Sequence, residues 1–450
     1  TGLLTGARTY LLDNSGNYTA AAMYYDYRGR IIQTRATNHL NGYEISYSAL
    51  NFSGNPVKIL KTHSINGTTP SVTELLTYTY DHAQRPLTTS HSLNNATAVV
   101  IASNAYDQLG RLAGKACHNA AESTNYTYNI QNWLTSITNS SWKEEVFYQD
   151  APDNPMYNGN IAQSTWTYNR RPHRGYKYTY DDLNRLTQAD YGEQSGLSVK
   201  QHLQDEYFSY DKMGNIKTIQ RKSVGRLIDN LSFEYNGNQL KKVDDAGENG
   251  AWYGETAYTN YSYTALSDFS YDANGNMTSD LDKDIVTIKY NVLNLPEIIQ
   301  FKNGNQMLNL YDAGGRKLRT KYYTLYSPVL MPVGATRTDY SSSNSSQRID
   351  DYMGNMLYEG ASSEAYHPLT KILTPEGYID YTDRHYCYFK KDHLGSIREV
   401  GKHIGADRVV VQKTQYYPSG TPYWEGFKSG EQPFKFTGKE LITMHGLNWQ

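Results

Sequence analysis

Polar and apolar positions alternate along most of this chain, in short runs that end in small clusters of Asp, Asn, Gly and Arg. Leu76-Thr77-Tyr78-Thr79-Tyr80, Tyr176-Lys177-Tyr178-Thr179-Tyr180 and Val286-Thr287-Ile288-Lys289-Tyr290 run into such clusters. Asn215-Ile216-Lys217-Thr218-Ile219 and Lys317-Leu318-Arg319-Thr320-Lys321-Tyr322 run out of them. A period of two predicts β-strands with one face turned inward. The residues are strand formers, Thr, Tyr, Val and Ile. No stretch holds a long helical period. One or two short helical turns are expected at Lys143-Glu144-Glu145 or near the C-terminus.

The clusters are one motif repeated. Tyr25-Asp26-Tyr27-Arg28-Gly29-Arg30 returns at Tyr106-Asp107 with Gly110-Arg111, at Tyr210-Asp211 with Gly214-Asn215, at Tyr271-Asp272 with Gly275-Asn276, and at Tyr311-Asp312 with Gly315-Arg316. Looser copies place Gln84, Asn132, Asn184 or Asn294 at the glycine position, and weaker ones centre on Gly54, Gly354 and Gly395. Two abbreviated units, Tyr157-Asn158-Gly159 and Tyr235-Asn236-Gly237, carry Asn-Gly, a strong hairpin signal. In each unit Tyr ends a strand, and Asp or Asn opens a turn by binding backbone downstream of itself. Gly or Asn then takes the left-handed conformation. Repeats spaced by about 20–40 residues mark a repeat architecture.

A hairpin per repeat yields more strands than the roughly ten an open sheet carries before it curls. Composition decides what such a sheet encloses. Hydrophobic residues are only 38% of the 450, yet Tyr contributes 43 against 10 Phe, and mean hydropathy is -0.70. Several solid aliphatic cores cannot be filled from this supply, whereas tyrosines suit half-buried sheet faces. The expected fold is therefore all-β: a long antiparallel sheet of consecutive hairpins coiled into a spiral, hollow, barrel-like shell. A propeller or a flat β-helix fits the repeat length less well. A net charge of -2 and pI near 6.6 give no basic excess for nucleic acid. No apolar run reaches the roughly 20 residues of a membrane-spanning helix. Cys117 and Cys387 form neither a disulfide framework nor a metal spacing.

These Tyr-Asp-x-x-Gly-Arg-Leu units resemble the YD repeats of Rhs proteins, toxin-complex C subunits and teneurins, and the likeness runs from about Tyr25 to Trp449. Three late segments resemble the Rhs family more narrowly: Asp392-His393-Leu394-Gly395-Ser396, Tyr416-Tyr417-Pro418-Ser419-Gly420, and Phe434-Lys435-Phe436-Thr437-Gly438-Lys439-Glu440 continuing to Gly446-Leu447-Asn448-Trp449. Their style is similar to Bacteroidetes members. The resemblance divides the chain into a repeat array over 1–385 and the start of a repeat-associated core over 386–450, incomplete in this fragment. The opening Thr1-Gly2-Leu3 reads as cut from something longer. What the family implies is a β-cocoon, secreted or on a bacterial surface, that encloses its own C-terminal toxin. Many members free that cargo by self-cleavage at an aspartate near the end of the core. No Asp-Pro dipeptide of that kind occurs here, so no catalytic residue is carried over and the shell is not expected to be an enzyme.

Other chemistry was weighed on single residues. Asp26, Asp107, Asp181, Asp211, Asp272 and Asp312 read as turn caps rather than calcium ligands. His385, Cys387, Asp392 and His393 lie close in sequence without an evident fourth ligand, so neither a metal nor a cofactor site is assigned. Trp133, Trp142, Trp166, Trp252, Trp424 and Trp449 are candidates for stacking on cell-surface glycans, against cross-strand packing as the plainer reading. An adhesin or carbohydrate-binding scaffold is thus the alternative function.

Overall fold

The computed structural model describes residues 2–13, 15–66, 72–168, 173–193, 199–200, 202–248, 258, 267–361, 367–405, 407–427 and 432–448, with side chains set aside at 199–200 and 424–427. The chain is 58% strand. A first sheet of twenty strands runs from Gly6–Tyr10 to Gln239–Asp245, and a second of fourteen runs from Phe269–Tyr271 to Pro422–Phe427. Every pairing is antiparallel, and nearly every strand pairs with the next in sequence. The exception is Val199–Lys200, a side branch on Leu186–Glu193, which also pairs with Glu206–Tyr210. The topology is one long meander of hairpins.

The wall turns through a full circuit and meets itself. Leu11, just past the first strand, bridges Asp312 in the turn after Gln306–Tyr311. Leu12 N–H donates to the Tyr311 carbonyl at 2.8 Å, and Ala313 N–H to that of Tyr10 at 2.8 Å. Beyond this point the second sheet runs beneath the first as a lower course. Partners across the seam are 312 residues apart at His39 and Asp351, 281 at Glu74 and Asn355, and 213 at Glu206 and Ser419. The shrinking interval means that fewer residues of the lower course span the same arc, so the spiral tightens along the chain. It does not close into a barrel.

Accessible surface is 22582 Å². A solid monomer of this mass would expose about 17,000 Å². Hydrophobic residues are too few for one continuous core. The core is accordingly split into patches. Val72, Leu93, Met353, Met356, Ile372 and Ile379 form one across the seam, and Ile285, Ile299, Phe301, Met307 and Leu447 another beneath the C-terminal segment.

Two local expectations change. Lys143-Glu144-Glu145 lies in the strand Trp142–Phe147, paired with Gln163–Tyr168. Its burial alternates residue by residue, with Glu144 buried beneath the seam, so tertiary contacts override helix propensity. Asn158-Gly159 is no tight hairpin: the strands it joins pair through the whole of residues 148–162. Asn236-Gly237 does form one, with Asn236 opposite Gln239. Among the described residues short helical turns occur near the C-terminus, at Phe436–Gly438 and Met444–Gly446, and one unexpected turn occurs at Leu281–Lys283.

Candidate functional site

Two constructions hold the wall, one within each course and one between courses. The first is the repeat turn. Asp107 Oδ1 accepts from the N–H of Leu109 and Arg111, both at 2.9 Å, and Oδ2 accepts Arg111 Nε at 2.6 Å. Gly110 N–H donates to the Asp107 carbonyl at 2.9 Å, with Gly110 at φ +83. Asp26, Asp81, Asp181, Asp211, Asp272 and Asp312 repeat this arrangement, with Asn replacing Arg at 215 and 276. The substitutes Gln84, Asn132, Asn184 and Asn294 all adopt the left-handed backbone, φ +57 to +67. Burial opposes the charge on Asp107, but the Arg111 hydrogen bonds outweigh it and hold the carboxyl below its usual value.

Sequence reasoning assigned the motif tyrosine only to a strand end. Its hydroxyl does more. Tyr80 donates to the Pro56 carbonyl at 2.7 Å, Tyr128 to Leu112 at 3.0 Å, Tyr180 to Ile161 at 2.8 Å, Tyr210 to Leu186 at 2.6 Å and Tyr290 to Met277 at 2.7 Å. Each acceptor is the first residue after the turn of the preceding unit. The arginine closing one turn lies over the next tyrosine: Arg85 over Tyr106 at 4.5 Å, Arg111 over Tyr128 at 4.9 Å and Arg185 over Tyr210 at 4.6 Å. Asp, Arg and Tyr therefore act as one inter-repeat latch. The signal was present in the sequence as tyrosine where phenylalanine would have packed equally well.

The second construction is the seam, and it is polar. His39 meets Asp351, His63 bridges Glu44 and Tyr358, His91 bridges Glu74 and Tyr386, and His393 meets Glu144. Lys115 pairs with Glu376 at 2.7 Å. Arg398, buried, binds Asp392 at 2.7 Å and lies over Trp166 and Tyr416. Glu206 receives both Ser419 N–H and its hydroxyl. Buried charges persist only where paired; Asp351, Glu376, Glu144 and Glu206 find a partner on the opposite course, which fixes the register between courses.

The three family-like C-terminal segments come together. Ile397 N–H donates to the Lys435 carbonyl at 3.1 Å, and Thr437 N–H to Ser396 Oγ at 3.1 Å. The Phe436 ring sits on Gly420, where a Cβ would lie 2.6 Å away. From there residues 432–448 cross the second sheet. Glu440 accepts from the Tyr352 hydroxyl at 3.0 Å, and Leu447 is fully buried against Ile285, Phe301 and Tyr322. Between this strap and the sheet lies a cleft of about 520 Å³ with Arg348, Asp350, Glu359, Lys371 and Glu440 in its walls. Burial, opposed by Arg348, pushes the Asp350 carboxyl up to about 6.

The sequence candidates disperse. His385 pairs with Asp383, Asp392 caps its own turn, His393 turns to Glu144, and Cys387 is a buried free thiol raised by burial to about 12. Trp142 and Trp166 are each 2% exposed, and Trp133 packs on Tyr148. Trp252, Trp449 and the Trp424 side chain fall outside the described residues. One triad that sequence spacing did not suggest, Asp190, His202 and Asp205, brings ligand-type atoms within 4.8 Å. Asp205 already accepts from Tyr191 N–H, His202, Tyr207 and the Lys222 ammonium, so it serves as a hydrogen-bond hub.

Comparison with known proteins bears on the whole wall. The crystal structure of TcdB2-TccC3-TEV superposes with a TM-score of 0.61 at 14% identity, covering 99% of this chain and 25% of that one. The chain has that fold. It spans a quarter of the matched chain's length. The structure of TcdB2-TccC3-Cdc42 matches at TM-score 0.34 and 12% identity over 99% of this chain and 29% of its own. The Photorhabdus luminescens Tc holotoxin pore with TccC3-D651A gives 0.32 and 12%, over 99% and 28%. Neither of these two adds to the argument. No family model and no curated protein matches the sequence.

Proposed function

We propose that this chain is a stretch of the wall of a YD-repeat shell that encloses its own toxic C-terminal polypeptide in a secreted or surface-exposed protein. The wall binds no substrate in this reading; it separates an interior from solvent. One observation carries it: a single meander winds past its own start and tightens, with the fold of a TcdB2-TccC3 chain along 99% of its length. The latch and the polar seam suit that task, because they fix curvature without filling the middle.

The test is protease protection. The gene segment encoding this chain, extended to its own downstream coding region, is expressed and digested before and after mild acid or denaturant. A downstream domain that stays intact until the wall unfolds supports enclosure. Immediate digestion of that domain at native pH, with the wall intact, refutes it.

A further inference from the structure

Within the seam, one contact differs from the others in its charge. His118 stands in the turn between strands Leu112–Cys117 and Glu122–Tyr128 of the upper course. His403 lies on Ile397–Ile404 of the lower course. Their rings stack at 4.0 Å between centroids, 22° from parallel. Around them the permanent charges are two carboxylates and three cations. Glu122 takes His403 Nε2 at 2.5 Å, Arg408 Nε at 2.7 Å and the Lys390 ammonium. Glu399 takes Arg408, Lys413 at 3.4 Å and the Ser141 hydroxyl. Tyr388 faces His118 Nδ1 at 3.2 Å and the His403 ring edge-on, and Tyr386 stands 6.1 Å from His118. Lys115 with Glu376, and Cys117, flank the site. The carboxylates are thus already outnumbered before either imidazole gains a proton.

We propose that the His118–His403 stack is an acid-sensitive latch whose double protonation opens the seam locally. Two added positive charges about 4 Å apart, in a site with cation excess, repel. Among the described residues, the other seam histidines each face a carboxylate with no second imidazole stacked on them. His39 faces Asp351, shared with Arg319; His63 faces Glu44; His91 faces Glu74; His393 faces Glu144. Glu122, the carboxylate that faces His403, is by contrast already shared with Arg408 and Lys390. Burial, reinforced by His403 and opposed by Glu122, lowers the His118 value from 6.5. A lowered base value means the open form binds protons more readily, so the closed contact is fully stable above about 6.5 and weakens as pH falls below it. For His393 burial is outweighed by Glu144 and the value rises, so its contact is strongest in acid.

Hydrogen–deuterium exchange of the full chain, corrected for intrinsic rates, reads this directly. Peptides covering 112–128 and 397–408 are expected to lose about ten-fold protection between pH 7.5 and 5.0, while peptides around Glu144 and His393 do not. His403→Gln, which retains a donor toward Glu122 without a titrating proton, is expected to abolish the loss. His118→Asn, suited to the left-handed backbone at 118 (φ +50), carries the same test should His403→Gln not fold. Equal protection at both pH values in the native chain overturns the proposal, as does acid loss that persists in either folded variant.

Discussion

Replacing Tyr180, Tyr210 and Tyr235 together by Phe isolates the inter-repeat hydroxyls. Each ring stays, and so does the Arg185 guanidinium over position 210; only the bonds to Ile161, Leu186 and Ile216, at 2.8, 2.6 and 2.8 Å, are lost. A net hydrogen bond of this kind contributes about 1 kcal/mol, and a carbonyl left unpaired in a half-buried site keeps the cost from falling below that. Three consecutive losses come to about 3 kcal/mol. Unfolding entropy of about 2.1 cal/mol/K per residue makes a chain of this length lose roughly 1 °C of Tm per kcal/mol. The expected drop by scanning calorimetry is therefore about 3 °C. Tyr326→Phe is the control: its ring is 63% exposed, and its Tm should stay within about 0.5 °C of the parent. Exchange in residues 161–240 should quicken in the triple variant and remain unchanged in the control. A triple variant indistinguishable from Tyr326→Phe would refute the latch.

Two further predictions follow from the backbone and from buried charge. Gly275→Val places a branched residue at φ +84, where its Cβ has room, Gln239 Nε2 lying 3.7 Å away, so the cost is conformational: about 1–2 kcal/mol, read as a lower Tm, and an unchanged Tm would contradict the turn geometry. Asp282, 1% exposed, has its carboxyl pushed up to about 6 by burial, with Asp268 and Asp280 adding to the shift and the Tyr258 hydroxyl opposing it. A raised acid value means the folded state loses stability as pH rises from about 3.8 to 6, so Asp282→Asn should gain roughly 2–3 kcal/mol at pH 7.5 and nothing at pH 3.5 in denaturant titrations; a gain independent of pH would show that the carboxylate charge is not its source.

The hairpin register was legible because two signals coincide at every unit: alternation fixes the strands, and Asp with Gly or Asn fixes the turn. Asp107 and Gly110 take the roles their residue types dictate. Even the substitutes keep the left-handed backbone, since Asn tolerates it. Where one signal stood alone, reading failed. Asn158-Gly159 has its turn dipeptide but no tight strand ends beside it, and becomes part of a long connection. Lys143-Glu144-Glu145 reads as a helical turn because the partner that buries Glu144, His393, is 249 residues away. The seam as a whole was invisible for that reason. No local pattern tells His91 from an exposed strand histidine until the circuit length sets Tyr386 beneath it.

That invisibility has a physical basis in how the wall is held. Hydrophobic contacts are non-directional and would let one course slide over the other. Polar contacts between buried partners do not, because a shift by one residue leaves each carboxylate facing the wrong group. Glu122, Glu144, Glu206 and Asp351 are each at most 4% exposed, and each finds its partner on the other course. Register between courses is thus set by charge, and register within a course by the tyrosine latch. A chain with only 38% hydrophobic residues can build a large, ordered wall on these terms, since it needs small apolar patches at intervals and not a continuous core. The corollary is that the seam responds to protons while the latches do not: tyrosine hydroxyls donating to carbonyls keep their protons throughout the range in which histidines titrate. Acid should therefore loosen the seam first at the His118–His403 stack, while the His393–Glu144 contact and the tyrosine latches hold.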